Sequence, residues 1–188
     1  MRTGRFASIL VLLVAMLGAP VVAAPFVVFP QAGSLASPDG RFMVRDVDRA
    51  GSASEFVGSF HSLWLTEVPT GRSRKLCDYL GVAAVAWSGN DFLVITQYVG
   101  KRSSRALVYS VSGADELVML DGSTLIQLLP AESRASLREN DHVFVEASRL
   151  DGGTFYFRVW GYGRRDPNGF RWNCECGLRG GRVACGGK

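Results

Sequence analysis

A tight turn followed by an alternating strand occurs three times in this chain, and no other feature limits the fold as strongly. "SPDGRFMVRDVDR" begins at Ser37, "SGNDFLVITQYVGK" at Ser88 and "RENDHVFVEASRLDG" at Arg138. Aligned on Asp39, Asn90 and Asn140, the copies lie 51 and 50 residues apart. Each is followed by a second run ("SLWLTEV", "RALVYSV", "TFYFRVWGY") and a third ("RSRKLCDY", "ELVML", "FRWNCEC"). The apolar runs "VAAVAW" and "TLIQLL" precede the second and third turns, and "FVVF" or "GSLAS" precedes the first. Short strands separated by Gly, Asn, Asp and Ser turns predict an all-β protein. The expected units are three four-stranded repeats, over about 26–79, 83–120 and 124–176, with an extra strand "RVAC" at 182–185. One helix is expected, over "PAESRASLRE", as an insertion before the third turn.

The first 23 residues have the composition of a signal peptide. Arg2 and Arg5 precede a 16-residue apolar stretch, and Val21 and Ala23 supply the small residues that a signal peptidase accepts. Cleavage after Ala23 leaves 24–188 as a single domain, long enough to bury a core. The apolar stretch is shorter than the ~20 residues a membrane span needs. Contact with the membrane is therefore expected only through this segment, before cleavage. Without the two leader arginines, 19 basic residues face 17 acidic ones, a net charge of +2. That is too weak a balance to point to nucleic acid. The basic residues do gather late: Arg158, Arg164, Arg165, Arg171, Arg179, Arg182 and Lys188 follow Asp151, against Asp151, Asp166 and Glu175. A solvated face is one explanation, and contact with an anionic partner such as an envelope glycan is another.

Four cysteines in an exported chain read as disulfides. Gly180-Gly181 is a two-residue hairpin signal. Counting back from it sets Arg179 opposite Arg182 and Cys176 opposite Cys185, a non-hydrogen-bonded pair with side chains close together. Cys77 and Cys174 remain as a second, weaker pair, closing a loop worth ~4–5 kcal/mol in the chain-entropy account. A zinc site at Cys174, Cys176 and Cys185 is the alternative, and it lacks a fourth ligand.

The turn motifs carry a resemblance. Ser37-Pro38-Asp39-Gly40-Arg41, Leu63-Trp64 with Thr70-Gly71, and Trp87-Ser88-Gly89-Asn90-Asp91 resemble the blade repeats of TolB-type and prolyl-oligopeptidase-type β-propellers. The likeness covers residues 37 to about 110. It implies blade-like sheets and says nothing of activity, because such repeats serve many functions. Closed propellers have four to eight blades, whereas three are counted here. Three sheets leave open edges, so an open stack, a β-sandwich, an open barrel, or pairing with a second copy or partner is expected. A compact propeller-like or sandwich domain is favoured.

Chemistry is sparse. There is no Gly-rich phosphate loop, His-Glu metal helix or nucleophile elbow, and neither a cofactor nor a metal is expected. Asp151-Gly152-Gly153 as a three-residue loop sets position i opposite 304 − i. His142 then faces Tyr162, Phe144 faces Trp160, Glu146 faces Arg158 and Ser148 faces Tyr156. His142, Glu146, Arg158, Trp160 and Tyr162 thus share one face, with Val145, Val159, Ala147 and Phe157 on the other. The polar face is read three ways: as contact between sheets, as a binding surface rich in Trp, Tyr and Arg, or as a catalytic Glu/His/Arg group without a nucleophile. His61, near Trp64, reads as structural. Asp46, Asp48 and Glu55 read as a solvated loop rather than a calcium site, "GKRSSR" at 100–105 as an exposed hairpin tip, and Asp166-Pro167-Asn168-Gly169 as a turn.

These features favour a binding or interaction module of the cell envelope or extracellular space, its partner an envelope protein or anionic glycan. A small envelope hydrolase acting on glycan or peptide, and a structural subunit pairing through an open sheet edge, are the alternatives.

Overall fold

A computed structural model describes residues 25–48, 60–111, 116–128, 131–151, 153–179 and 182–186. The expected signal peptide, Glu55 and the Gly180-Gly181 loop lie outside the described residues. The chain is mostly β, with 62% strand and 9% helix, in three antiparallel sheets and no closed barrel.

The first sheet is a meander of β2 (Ser34–Ala36), β3 (Phe42–Asp48), β4 (Phe60–Glu67) and β5 (Ser73–Leu80). The second runs β6 (Ala83–Ser88), β7 (Phe92–Tyr98), β8 (Ser104–Ser110) and β9 (Glu116–Leu120), with β1 (Val27–Phe29) added beside β6. The third is β10 (His142–Asp151), β11 (Thr154–Tyr162), β12 (Phe170–Arg179) and β13 (Arg182–Gly186). The first turn shows why its sequence folds so sharply. Ser37 Oγ donates to Asp39 Oδ1 at 2.7 Å and accepts the Phe42 N–H at 3.0 Å, while Gly40 takes φ +72°, which a side chain disfavours. Hydrogen bonds from Ser37 and then Arg41 hold the Asp39 carboxyl down to about 2.

Several expectations are corrected. "GSLAS" is the first strand of the first sheet, whereas "FVVF" joins the second, pairing Val27 with Val85. "TLIQLL" is not a strand. It lies largely in α1 (Gly122–Leu128), because Asp121 Oδ1 accepts the N–H groups of Ser123 and Thr124 at 3.0 and 2.9 Å and caps a helix. The third sheet therefore begins at His142, and Arg182–Gly186 is its fourth strand instead of an extra one. The expected helix over "PAESRASLRE" is present as α2 (Ala131–Glu139).

Two cores separate the three sheets. The first joins Val44, Leu63, Leu65 and Tyr79 to Val85, Trp87, Leu93, Ile95 and Leu107. The second joins Val94, Ala106, Val108 and Val118 to Val145, Phe155, Phe157 and Val159, with Leu125 and Leu137 from the helices. Leu93 and Ile95 point one way and Val94 the other, so the middle sheet is buried on both faces. That is why "FLVI" and "ALVY" are unbroken apolar runs rather than alternating ones.

The sheets meet at their edges as well as through their cores. Along the open side of β10, Arg102 C=O accepts the Val143 N–H at 3.0 Å and Thr96 Oγ1 accepts the Ala147 N–H at 2.9 Å. Ser104 Oγ both accepts the Val145 N–H and donates to the Val145 C=O, each at 3.0 Å, and Ser88 Oγ donates to Leu150 C=O at 2.7 Å. Along β5, Tyr109 O–H donates to Leu76 C=O at 2.9 Å, and the Gln97 amide donates to Asp78 C=O. Side chains of the middle sheet, together with the Arg102 carbonyl of its β7–β8 loop, thus take the place of a missing strand and satisfy backbone groups that burial would otherwise orphan.

Cys176 lies opposite Cys185 in the β12–β13 register, as the turn arithmetic requires. The Cys185 side chain is outside the described residues. The second expected pair is overturned. Cys77 packs in the first core and Cys174 against the second, and both are thiols. The middle sheet stands between those cores, so the side chains cannot meet.

Candidate functional site

The β10–β11 hairpin gathers His142, Glu146, Arg158, Trp160 and Tyr162 on one face. The register is the expected one from His142↔Tyr162 to Ala147↔Phe157. It then shifts: Arg149, not Ser148, lies opposite Tyr156, and Asp151 lies opposite Thr154. A bulge at Ser148 and the pairing of Asp151 with Thr154 replace the expected three-residue loop. The extra residue is absorbed in the strand, where it adds twist.

Alternation sends Val145, Phe157 and Val159 into the second core and leaves the other face outward. There the aromatic rings form a ladder. His142 stacks on Tyr162 at 4.4 Å and Phe144 on Trp160 at 4.2 Å, with Trp160 and Tyr162 6.1 Å apart. Phe144 is buried beneath its neighbours, while Tyr162 is 42% exposed. His142 is half-buried and its Nδ1 has no hydrogen-bond partner, so stacking holds the ring.

Next to the ladder, Arg158 Nε donates to Glu146 Oε2 at 3.0 Å and its Nη2 donates to the same oxygen. Tyr98 O–H reaches over from β7 to Glu146 Oε1 at 3.2 Å. Burial opposes ionisation of Glu146, but hydrogen bonds from Arg158, with Trp160 and Tyr98 adding to them, outweigh it and leave the carboxyl below its ordinary value. Burial, and then the Glu146 charge, raise the Tyr98 hydroxyl.

A group with a lowered folded-state pKa stabilises above its unfolded value and loses that contribution as pH falls through the folded one. The Arg158 side chain is 46% exposed and that of Glu146 17%, so solvent screens the pair. Glu146→Gln is expected to cost about 1 kcal/mol at pH 7. The difference from wild type should close as pH falls below the ordinary glutamate value of ~4.3. Urea unfolding at several pH values measures it, and a pH-independent difference would assign the effect to shape rather than charge.

The remaining candidates are placed elsewhere. His61 stacks on Tyr79 at 5.2 Å rather than on Trp64, and its Nδ1 lies 3.0 Å from Asp46 Oδ2. Tyr79 O–H donates to Asp46 Oδ1 at 2.6 Å, and burial together with that carboxylate raises the hydroxyl far above its usual value. Asp46 is therefore a half-buried acceptor within β3 and not part of a solvated loop. Sequence reasoning missed this cross-strand triad because Tyr79 comes from a third strand. Among the described residues, no three His, Cys, Asp or Glu lie close enough to hold a metal ion, and no helix is long and apolar enough to cross a membrane.

A cleft of ≈ 780 Å³ opens at the His142–Tyr162 end of the ladder. The β11–β12 loop on its rim is shaped by glycines. A Cβ on Gly163 would lie 2.9 Å from Asp141 N, and one on Gly169 would lie 2.1 Å from Gly161 O. Asp166 C=O accepts the N–H groups of Gly163 and Gly169 at 3.1 and 3.2 Å. No protein-family model, curated protein or solved structure matches this chain.

Proposed function

We propose that the protein is an exported binding module whose contact surface is the outer face of the β10–β11 hairpin. The aromatic ladder carries this reading. Tyr162, Trp160 and His142 present ring faces beside a charged pair, away from both cores, and Trp, Tyr and Arg dominate contact energies in known interfaces. The three consecutive meanders are consistent with blade-like units in an open stack. The alternative of a structural subunit pairing through a sheet edge is weakened at β5 and β10, whose edges the middle sheet already caps.

Trp160→Ala and Tyr162→Ala are expected to keep the fold, because both rings sit outside the cores, and to reduce retention of envelope components at least tenfold in a pull-down. Retention matching wild type, with unchanged thermal unfolding, would overturn the reading. Export carries two expectations of its own: a mature chain that starts at Ala24, and a Cys176–Cys185 disulfide. Intact mass and non-reducing peptide mapping measure them, and a retained Met1 or a free Cys176 would contradict them.

A further inference from the structure

We infer that the cleft at the end of the aromatic ladder binds an acidic sugar chain, one carrying carboxylate or sulfate groups. The inference rests on the proposed binding role of the ladder and names the partner's chemistry. Three separate segments bring arginines to this cleft: Arg102 from the β7–β8 loop, Arg138 from the end of α2, and Arg164 and Arg165 from the β11–β12 loop. All four are exposed, and none makes an ion pair among the described residues. Outside the cleft, Arg41, Arg72, Arg105 and Arg158 each have a carboxylate partner, while Arg149 lies over the Tyr156 ring and Arg171 has no ion pair among the described residues. Four guanidinium groups against the two carboxylates of Glu139 and Asp141 leave the cleft net positive, and an anion relieves the excess. Guanidinium forks match carboxylate and sulfate oxygens two bonds at a time.

The cleft is built rather than incidental. The β11–β12 loop is closed by Asp166 and pressed against the Asp141 backbone, and the Arg102 carbonyl is tied to Val143. Two other features choose the ligand class. Glu139 and Asp141 line the same cleft. Their carboxylates accept hydrogen bonds from hydroxyl groups, which every sugar ring supplies. His142 and Tyr162, stacked at 4.4 Å, form the aromatic wall, and such rings present an apolar face to a flat, partly apolar ring. Anionic groups, hydroxyl donors and an apolar ring face occur together in a uronic or sulfated sugar.

Calorimetric titration of the full mature chain with a uronic-acid oligosaccharide, a neutral oligosaccharide of equal length, and inorganic phosphate tests this. The acidic sugar is expected to bind at least tenfold more tightly than either other probe. The double variant Arg164→Gln/Arg165→Gln should weaken it at least tenfold with unchanged thermal unfolding. Trp160→Ala, at the far end of the ladder, should weaken it less. Equal affinity for phosphate would make the cleft a simple anion site and overturn the inference. No binding of the acidic sugar, with envelope retention still dependent on Trp160, would overturn the ligand class and leave the binding role of the face intact. Sugar binding lost in Trp160→Ala but not in the arginine variant would place the ligand on the ladder and overturn the cleft.

Discussion

Gly169→Ala is expected to destabilise the protein by about 2–5 kcal/mol, through two additive effects. Gly169 has φ +64°, where an L side chain costs about 1–2 kcal/mol. Its Cβ would also lie 2.1 Å from Gly161 O and 3.3 Å from the Tyr162 Cβ. The first of these is backbone and cannot swing away, so the β11–β12 loop must shift, and overpacking of this kind costs about 1–3 kcal/mol. For a chain of this size the midpoint of thermal unfolding should fall by roughly 10 °C. Gly71→Ala separates the two effects. Gly71 has nearly the same φ, +68°, and a Cβ added there would meet nothing within 4 Å, so it should show the conformational cost alone. Equal losses at the two positions would mean that the loop yields easily, and the rim of the cleft would not be rigid. Circular dichroism melts of both variants provide the comparison.

Ser104→Ala is expected to cost about 3 kcal/mol, although it removes one oxygen. Ser104 is fully buried, and its hydroxyl both accepts the Val145 N–H and donates to the Val145 carbonyl. Without it, two backbone groups at the buried edge of β10 lose their partner, at about 1–3 kcal/mol each. Relaxation and water entry should recover part of that. Native-state hydrogen exchange offers a second readout: the Val145 and Ala147 amides should lose protection before those of β7. A loss under about 1 kcal/mol, with Val145 still protected, would show that the edge is held by packing alone.

The local half of this architecture is legible in the sequence. A strand and its successor are joined by a short turn, and the turn fixes the register. Counting outward from Asp151-Gly152-Gly153 therefore finds the His142–Tyr162, Phe144–Trp160 and Glu146–Arg158 pairs, and Gly180-Gly181 sets Cys176 opposite Cys185. Alternation assigns the face each side chain takes. The same counting fails at Ser148, because a bulge and a shorter loop compensate for each other and leave no trace in spacing. It fails again at "TLIQLL", where the apolar run suggests a strand and the capping group at Asp121 makes a helix.

What the sequence determined by itself is the set of short-range choices: turns, strand order within a sheet, and the polar or apolar character of each face. The tertiary structure alone decided how the sheets are shared. It placed β1 in the second sheet, kept Cys77 and Cys174 apart, joined His61 to Asp46 and Tyr79, and brought Arg102, Arg138 and Arg164 to one cleft. The reason is physical. Pairing between chain neighbours is dictated by a few backbone torsions, whereas contact between sheets depends on which buried edge groups find partners and which apolar faces fit together. Those conditions join residues far apart in the chain, 41 positions for Ser104 and Val145 and 51 for Thr96 and Ala147, and periodicity along the chain carries no record of them.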